Sequence, residues 1–177
     1  MERKLAHVTD PAYLEGITEL PIERVREMRA ECQAIENTLS YVRRIAQGRL
    51  DIVGAELERR RAGGDPHDLR DLIGRLPDIL ADRGHGGGLP RPPQDLSAQD
   101  LAAEFVAEID QILSPAQVGS VADLSDAELA EARDRLDEYE RRTSATRRTM
   151  HNVIEALQGE IARRYRSGEA SVDTLLR

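Results

Sequence analysis

The sequence predicts an all-α protein: a long antiparallel two-helix coiled coil whose mostly flexible connector contains one shorter amphipathic helix. Three observations lead there. Aromatic residues make up 3% of the 177, with no Trp and one Phe, so the material from which β-sandwiches and α/β cores are built is scarce. Charged residues reach 33% against 40% hydrophobic, a balance that suits solvated helices sharing a narrow apolar seam. Finally, two proline-free stretches, 22–62 and 126–166, are each 41 residues long and carry apolar positions at alternating steps of four and three, the spacing of a heptad seam.

Taken in order, residues 1–20 form an N-terminal segment and 21–62 the first coiled-coil helix. Pro21 stands where a first helical turn tolerates it, and Gly63 and Gly64 end the run. The seam is Met28, Cys32, Ile35, Leu39, Val42, Ala46 and Val53, interrupted only by Arg49. A Gly/Pro-rich acidic linker spans 63–96. It contains short apolar pieces around Leu69, Leu72, Ile73, Leu76, Ile79 and Leu80, then the stretch GHGGGLPRPPQ at 84–94, whose composition favours an extended or flexible chain. Residues 97–114 form the short helix, with Ser97 and Asp100 as its capping box and Leu101, Phe105, Ile109, Ile112 and Leu113 along one face. That face either closes on the long helices or is offered to another protein. The second reading is favoured, because two thin helices offer little groove to fill.

The second coiled-coil helix covers 125–167, begun by a Ser125/Glu128 capping box and ended before Gly168, with 168–177 as a tail. Its seam, Ala132, Leu136, Tyr139, Thr143, Thr146, Met150, Val153 and Leu157, falls 104 residues after its counterpart in the first helix.

Charge is divided unevenly along the chain. The net charge is -8, yet residues 65–138 hold 17 acids against 6 arginines, while 28–64 and 139–177 are mildly basic. General nucleic-acid binding, and direct DNA binding with it, is therefore disfavoured, whereas a small anionic ligand on the basic segments is allowed. The single Cys32 can form no internal disulfide. The first twenty residues lack a secretory pattern, and no apolar run approaches a membrane span. A cytoplasmic protein without membrane contact is expected. His7, His67, His85 and His151 lie far apart with no cysteine pairs, which excludes a familiar zinc pattern. Neither a P-loop nor a dinucleotide fingerprint occurs, and no nucleophile, base and orienting group stand together, so no enzyme is expected.

Beside each seam runs a polar stripe. It is Glu36, Ser40, Arg43, Gln47 and Asp51 on the first helix, and Glu140, Ser144, Arg147, His151 and Glu155 on the second. At about 100° per residue the five members of each fall within a strip roughly 80° wide. Over 36–60 against 140–164, seven of 25 positions are identical: Glu36/Glu140, Ser40/Ser144, Arg43/Arg147, Arg44/Arg148, Glu56/Glu160, Arg59/Arg163 and Arg60/Arg164. Isolated Glu and Arg at helical spacing are usually surface ion pairs. A coiled-coil repeat explains the seam but not a serine repeated at the same depth beside it. In an antiparallel pair the stripes would meet about a pseudo-two-fold axis near Arg43 and Arg147, making two equal half-sites. Arginine can offer two donors to guanine O6 and N7 or stack on a base, and carboxylates accept from the N1–H and N2–H₂ edge that adenine lacks. A two-fold symmetric guanine dinucleotide fits that arrangement. The Arg59–Arg61 and Arg163–Arg164 clusters read as cations favoured by helix C-termini.

The pattern E-x3-S-x2-R-x3-Q-x3-D from Glu36 to Asp51 resembles the cyclic-di-GMP-binding signature of the actinobacterial RsiG family of anti-sigma factors, which carries one copy on each helix of an antiparallel coiled coil. In the second copy His151 stands for Gln and Glu155 for Asp. The resemblance implies cyclic di-GMP as regulatory ligand, held as an intercalated dimer with no metal required. It also implies that the loaded protein sequesters a WhiG-type sporulation sigma factor from RNA polymerase. The competing reading is a ligand-free coiled-coil scaffold. Leu101, Phe105, Ile109 and Ile112 are the expected partner-binding residues, supported by the acidic middle of the chain.

Overall fold

The computed structural model describes residues 2–63 and 97–170. Among them every regular element is helical: α1 Glu2–Thr9, α2 Ile22–Arg61, α3 Ser97–Ile112, α4 Pro115–Gly119 and α5 Asp126–Ser167, with 3-10 turns at Pro11–Leu14 and Val121–Asp123. The two long helices, α2 and α5, pack against each other as an antiparallel coiled coil. The apolar pieces expected at 69–80 and the Gly/Pro stretch at 84–94 lie outside the described residues.

The long helices begin and end where their sequences provide caps. Pro21, just outside α2, accepts the first helical bonds from the amides of Arg24 and Val25 at 3.0 and 3.2 Å, a place where its missing N–H costs nothing. At the start of α5 the capping box is complete. The Ser125 amide and hydroxyl both donate to Glu128 at 2.7 and 2.6 Å, and the Glu128 amide donates to Ser125 Oγ at 3.3 Å. Gly63 and Gly168 follow the helix ends with φ of +76° and +78°, backbone that a side chain would strain.

The chain divides into two units, residues 1–40 with 145–177 and residues 41–144. In the first, Val25, Met28, Cys32, Ile35 and Leu39 of α2 are buried with Met150, Val153, Leu157 and Ile161 of α5. Val8 of α1 and Tyr13 of the following 3-10 turn join that core. The N-terminal segment is therefore structured. Its helix is eight residues long, too short to reveal a period in sequence. Asp10 stops α1 and starts the turn by accepting from the Ala12 amide at 2.9 Å. Cys32 is fully buried beside the Tyr13 hydroxyl, a small apolar filler as expected.

In the second unit, Val42, Ala46 and Val53 of α2 are buried, as are Leu129, Ala132, Leu136 and Tyr139 of α5. Ala102, Phe105 and Ile109 of α3 and Leu113 just beyond it are buried too. The expectation that the α3 face is offered to another protein is thus corrected for Phe105 and Ile109. Tyr139 donates its hydroxyl to the Phe105 carbonyl at 3.1 Å. Arg49, the one break in the seam, donates to Asp110 and to the Leu113 carbonyl, both at 2.5 Å. A polar interruption in an apolar row thus becomes the clamp for a third helix. Burying a side chain such as Ile109 is worth about 1.5–3 kcal/mol, which is why the face turns inward. Ile112 is half-buried, and the Leu101 side chain and the Ser97/Asp100 capping box lie outside what is described.

Candidate functional site

Each unit assembles the start of one stripe with the later part of the other. In the first unit the Glu36 carboxylate is buried on α2 and collects donors from both helices on a single oxygen, Oε1. Ser40 Oγ donates from one turn along at 2.8 Å. Arg147 on α5 donates twice, from Nη2 at 2.8 Å and Nε at 3.2 Å. His151 Nε2 lies 3.4 Å away. Burial pushes the Glu36 carboxyl up, but donation from Arg147 and Ser40 and the charges of Arg147 and His151 outweigh it, leaving the group below the ordinary carboxylate range. Glu155 stands exposed one turn past His151.

The second unit repeats the arrangement with the helices exchanged. Glu140 on α5 accepts from Ser144 Oγ at 2.8 Å and from Arg43 Nη1 on α2 at 3.3 Å. Arg43 Nη1 also donates to Gln47 Oε1 at 3.0 Å, and Asp51 is half-buried one turn further on. Eight of the ten expected residues are thus drawn into two constellations of carboxylate, hydroxyl, guanidinium and amide or imidazole. Each constellation takes its carboxylate and serine from one helix and its arginine from the other.

The half-sites are not equal. Arg147 engages a carboxylate whose side chain is 8% exposed, whereas Glu140 is 21% exposed. Arg43 Nε is buried and, among the described residues, is the one buried side-chain nitrogen or oxygen with no hydrogen-bond partner. Buried donors are nearly always satisfied, so this guanidinium has capacity that the protein does not use.

A second duplicated feature escaped the sequence reading. Glu56 and Glu160 are both buried, and each gathers the two arginines that follow it. Arg59 and Arg60 donate to Glu56 at 2.6–2.7 Å, while Arg163 and Arg164 donate to Glu160 at 2.6–2.9 Å. Arg60 reaches on to the carbonyls of Ala122 and Leu124 at 3.0 and 2.7 Å and to Asp126 at 2.6 Å. Arg164 reaches the carbonyls of Ile17 and Leu20, both at 2.6 Å. These arginines are therefore more than cations at helix C-termini: they grip the chain that enters the opposite helix. The identities Glu56/Glu160, Arg59/Arg163 and Arg60/Arg164 were the available signal.

A family model described as RsiG-like matches residues 11–80 and 115–177, which include both long helices and both half-sites. The chain belongs to the RsiG-like family. This RsiG-like protein accordingly has the role of an anti-sigma factor, a regulator with a sigma factor as partner. No curated protein matches the chain. The family match omits 81–114 and hence α3, so the Arg49 clamp holds an element outside the matched region. Among the described residues no helix is long and apolar enough to cross a membrane, and no group of three or more His, Cys, Asp or Glu could hold a metal ion.

Proposed function

We propose that this RsiG-like protein binds cyclic di-GMP at the two half-sites and, when loaded, holds a WhiG-type sporulation sigma factor away from RNA polymerase. One observation carries the reading: at equivalent positions 104 residues apart, a carboxylate with its serine is brought from one helix to an arginine of the other. A constitutive scaffold needs the seam but has no use for this polar set beside it. Guanine supplies O6 and N7 acceptors for Arg43 and Arg147 and an N1–H and N2–H₂ edge for carboxylates such as Asp51 and Glu155, while phosphates suit the serines and guanidinium groups. A two-fold ligand, bound as an intercalated dimer, matches a two-fold repeat.

Because the ligand draws on both long helices, its binding stabilises the paired state that the sigma factor recognises. The test is capture of a purified WhiG-type sigma factor by immobilised protein, with and without cyclic di-GMP. Capture that depends on the nucleotide is expected. Capture of equal strength in its absence would favour the constitutive scaffold.

A further inference from the structure

Where α3 ends and α5 begins, the second unit holds a cleft of about 220 Å³. Half-buried Ile112 and Leu124 and buried Ala132 give it an apolar floor, and Glu128 and Glu131 stand exposed at its rim. A space of that size is smaller than the pocket of a drug-sized ligand. An apolar floor under two carboxylates suits one long cationic side chain, whose stem packs on carbon while its head stays with charge.

The rim carboxylates have capacity to spare. The amide and hydroxyl of Ser125 both donate to Glu128 Oε2, and Oε1 accepts no bond among the described residues. Glu131 meets Arg135 at 3.6 Å with the two side chains 71% and 51% exposed, an ion pair that solvent reduces to little. Three residues apart on one helix, the two carboxylates face the same way. The surround has a single sign: residues 97–138 carry 11 acids and two arginines, and both arginines are answered within α5, Arg133 by Asp134 and Arg135 by Glu131. Such a surface attracts cations and repels phosphate. Ile112 belongs to α3, outside the family match, so the cleft is completed by an element added to the matched coiled coil.

We propose that this cleft is a docking point for the sigma factor and receives one of its arginine or lysine side chains, with the stem on Ile112 and Leu124 and the head between Glu131 and Oε1 of Glu128. This rests on the sigma-factor partnership proposed above and adds a contact that uses no residue of the polar stripes. A protein that engages promoter DNA carries Lys and Arg for the phosphates, so a carboxylate pair that occupies one of them competes with DNA for it.

The test measures binding of a purified WhiG-type sigma factor to the immobilised full chain in saturating cyclic di-GMP, for the parent, Glu131→Gln, Glu131→Lys and Asp137→Lys. Asp137 lies about 120° round α5 from Glu131 with its side chain 50% exposed, so its reversal makes the same change in net charge away from the cleft. Glu131→Lys is expected to weaken sigma binding at least tenfold and Glu131→Gln by a smaller factor, whereas Asp137→Lys stays within threefold of the parent. Because these side chains reach solvent, all three variants are expected to melt within about 2 °C of the parent and to bind cyclic di-GMP as it does. Sigma binding by Glu131→Lys within threefold of the parent, or an equal loss in Asp137→Lys, would overturn the docking point while leaving nucleotide-dependent capture standing. A parent protein that captures no sigma factor would instead sink the proposed function and the docking point with it.

Discussion

Arg60 and Arg164 stand 104 residues apart and perform the same act, each donating to the carbonyl of the leucine that precedes the opposite long helix, Leu124 at 2.7 Å and Leu20 at 2.6 Å. The two leucines are themselves 104 residues apart. The internal repeat therefore extends beyond the stripe to the helix entries. Each long helix is held at its start by a guanidinium whose other face is fixed on a buried glutamate.

Replacing Arg164 with alanine removes charge-assisted bonds to Glu160 and to two backbone carbonyls, and at a side chain 7% exposed water does not readily substitute. A loss of about 2–4 kcal/mol is expected. Urea denaturation measures it, and a change below about 0.5 kcal/mol would show that the grip is incidental.

The same clamps set the acid limit of stability. Arg163 and Arg164 bring the Glu160 carboxyl down to about 2; at Glu56, donation and charge from Arg59 and Arg60 overcome the upward push of burial. A carboxyl lowered in the folded state contributes its full stabilisation above the unfolded value of about 4.3 and loses it as pH falls through the folded value. Helicity followed against pH is expected to hold near pH 5 and to decline between about pH 4 and 2. Glu160→Gln should flatten that decline. An unchanged acid limb in the variant would assign the transition to other groups.

The third helix supplies a prediction that differs from what its sequence suggested. Ile109 is fully buried, so Ile109→Ala is expected to cost about 2–5 kcal/mol in folding stability and to act on the sigma factor only through the fold. Urea denaturation separates this from a docking role: a variant of parental stability that had lost sigma capture would restore α3 as the docking face.

How much of this the sequence disclosed follows from which signals are local. Both long helices were legible because period, proline-free length and caps act within a few residues, and Ser125 with Glu128 formed the box its spacing predicts. The stripe was legible because it repeats. Which stripe members meet was not, because pairing Glu36 with Arg147 and Glu140 with Arg43 depends on how the helices are set against each other. Arg49 misled for the same reason: in one dimension it breaks a seam, while in three it clamps Asp110 and the end of α3. The inward turn of Phe105 and Ile109 was a choice between two burials that amphipathicity alone cannot make.

The departure of the second motif copy offers a restrained change. His151 is half-exposed and lies 3.4 Å from Glu36, in the place that Gln47 holds beside Arg43. His151→Gln makes the copies alike at that position and is expected to leave cyclic di-GMP affinity intact or improve it, as read by calorimetry. Abolished binding would give His151 an indispensable role of its own.

Guanine recognition by the duplicated carboxylate, serine and arginine sets is decided by calorimetric titration of the purified protein with cyclic di-GMP and cyclic di-AMP. Saturable binding of cyclic di-GMP is expected, with cyclic di-AMP at least tenfold weaker, since each lost bidentate base contact is worth about 1–3 kcal/mol. Equal affinity for the two nucleotides, or none for either, would contradict it.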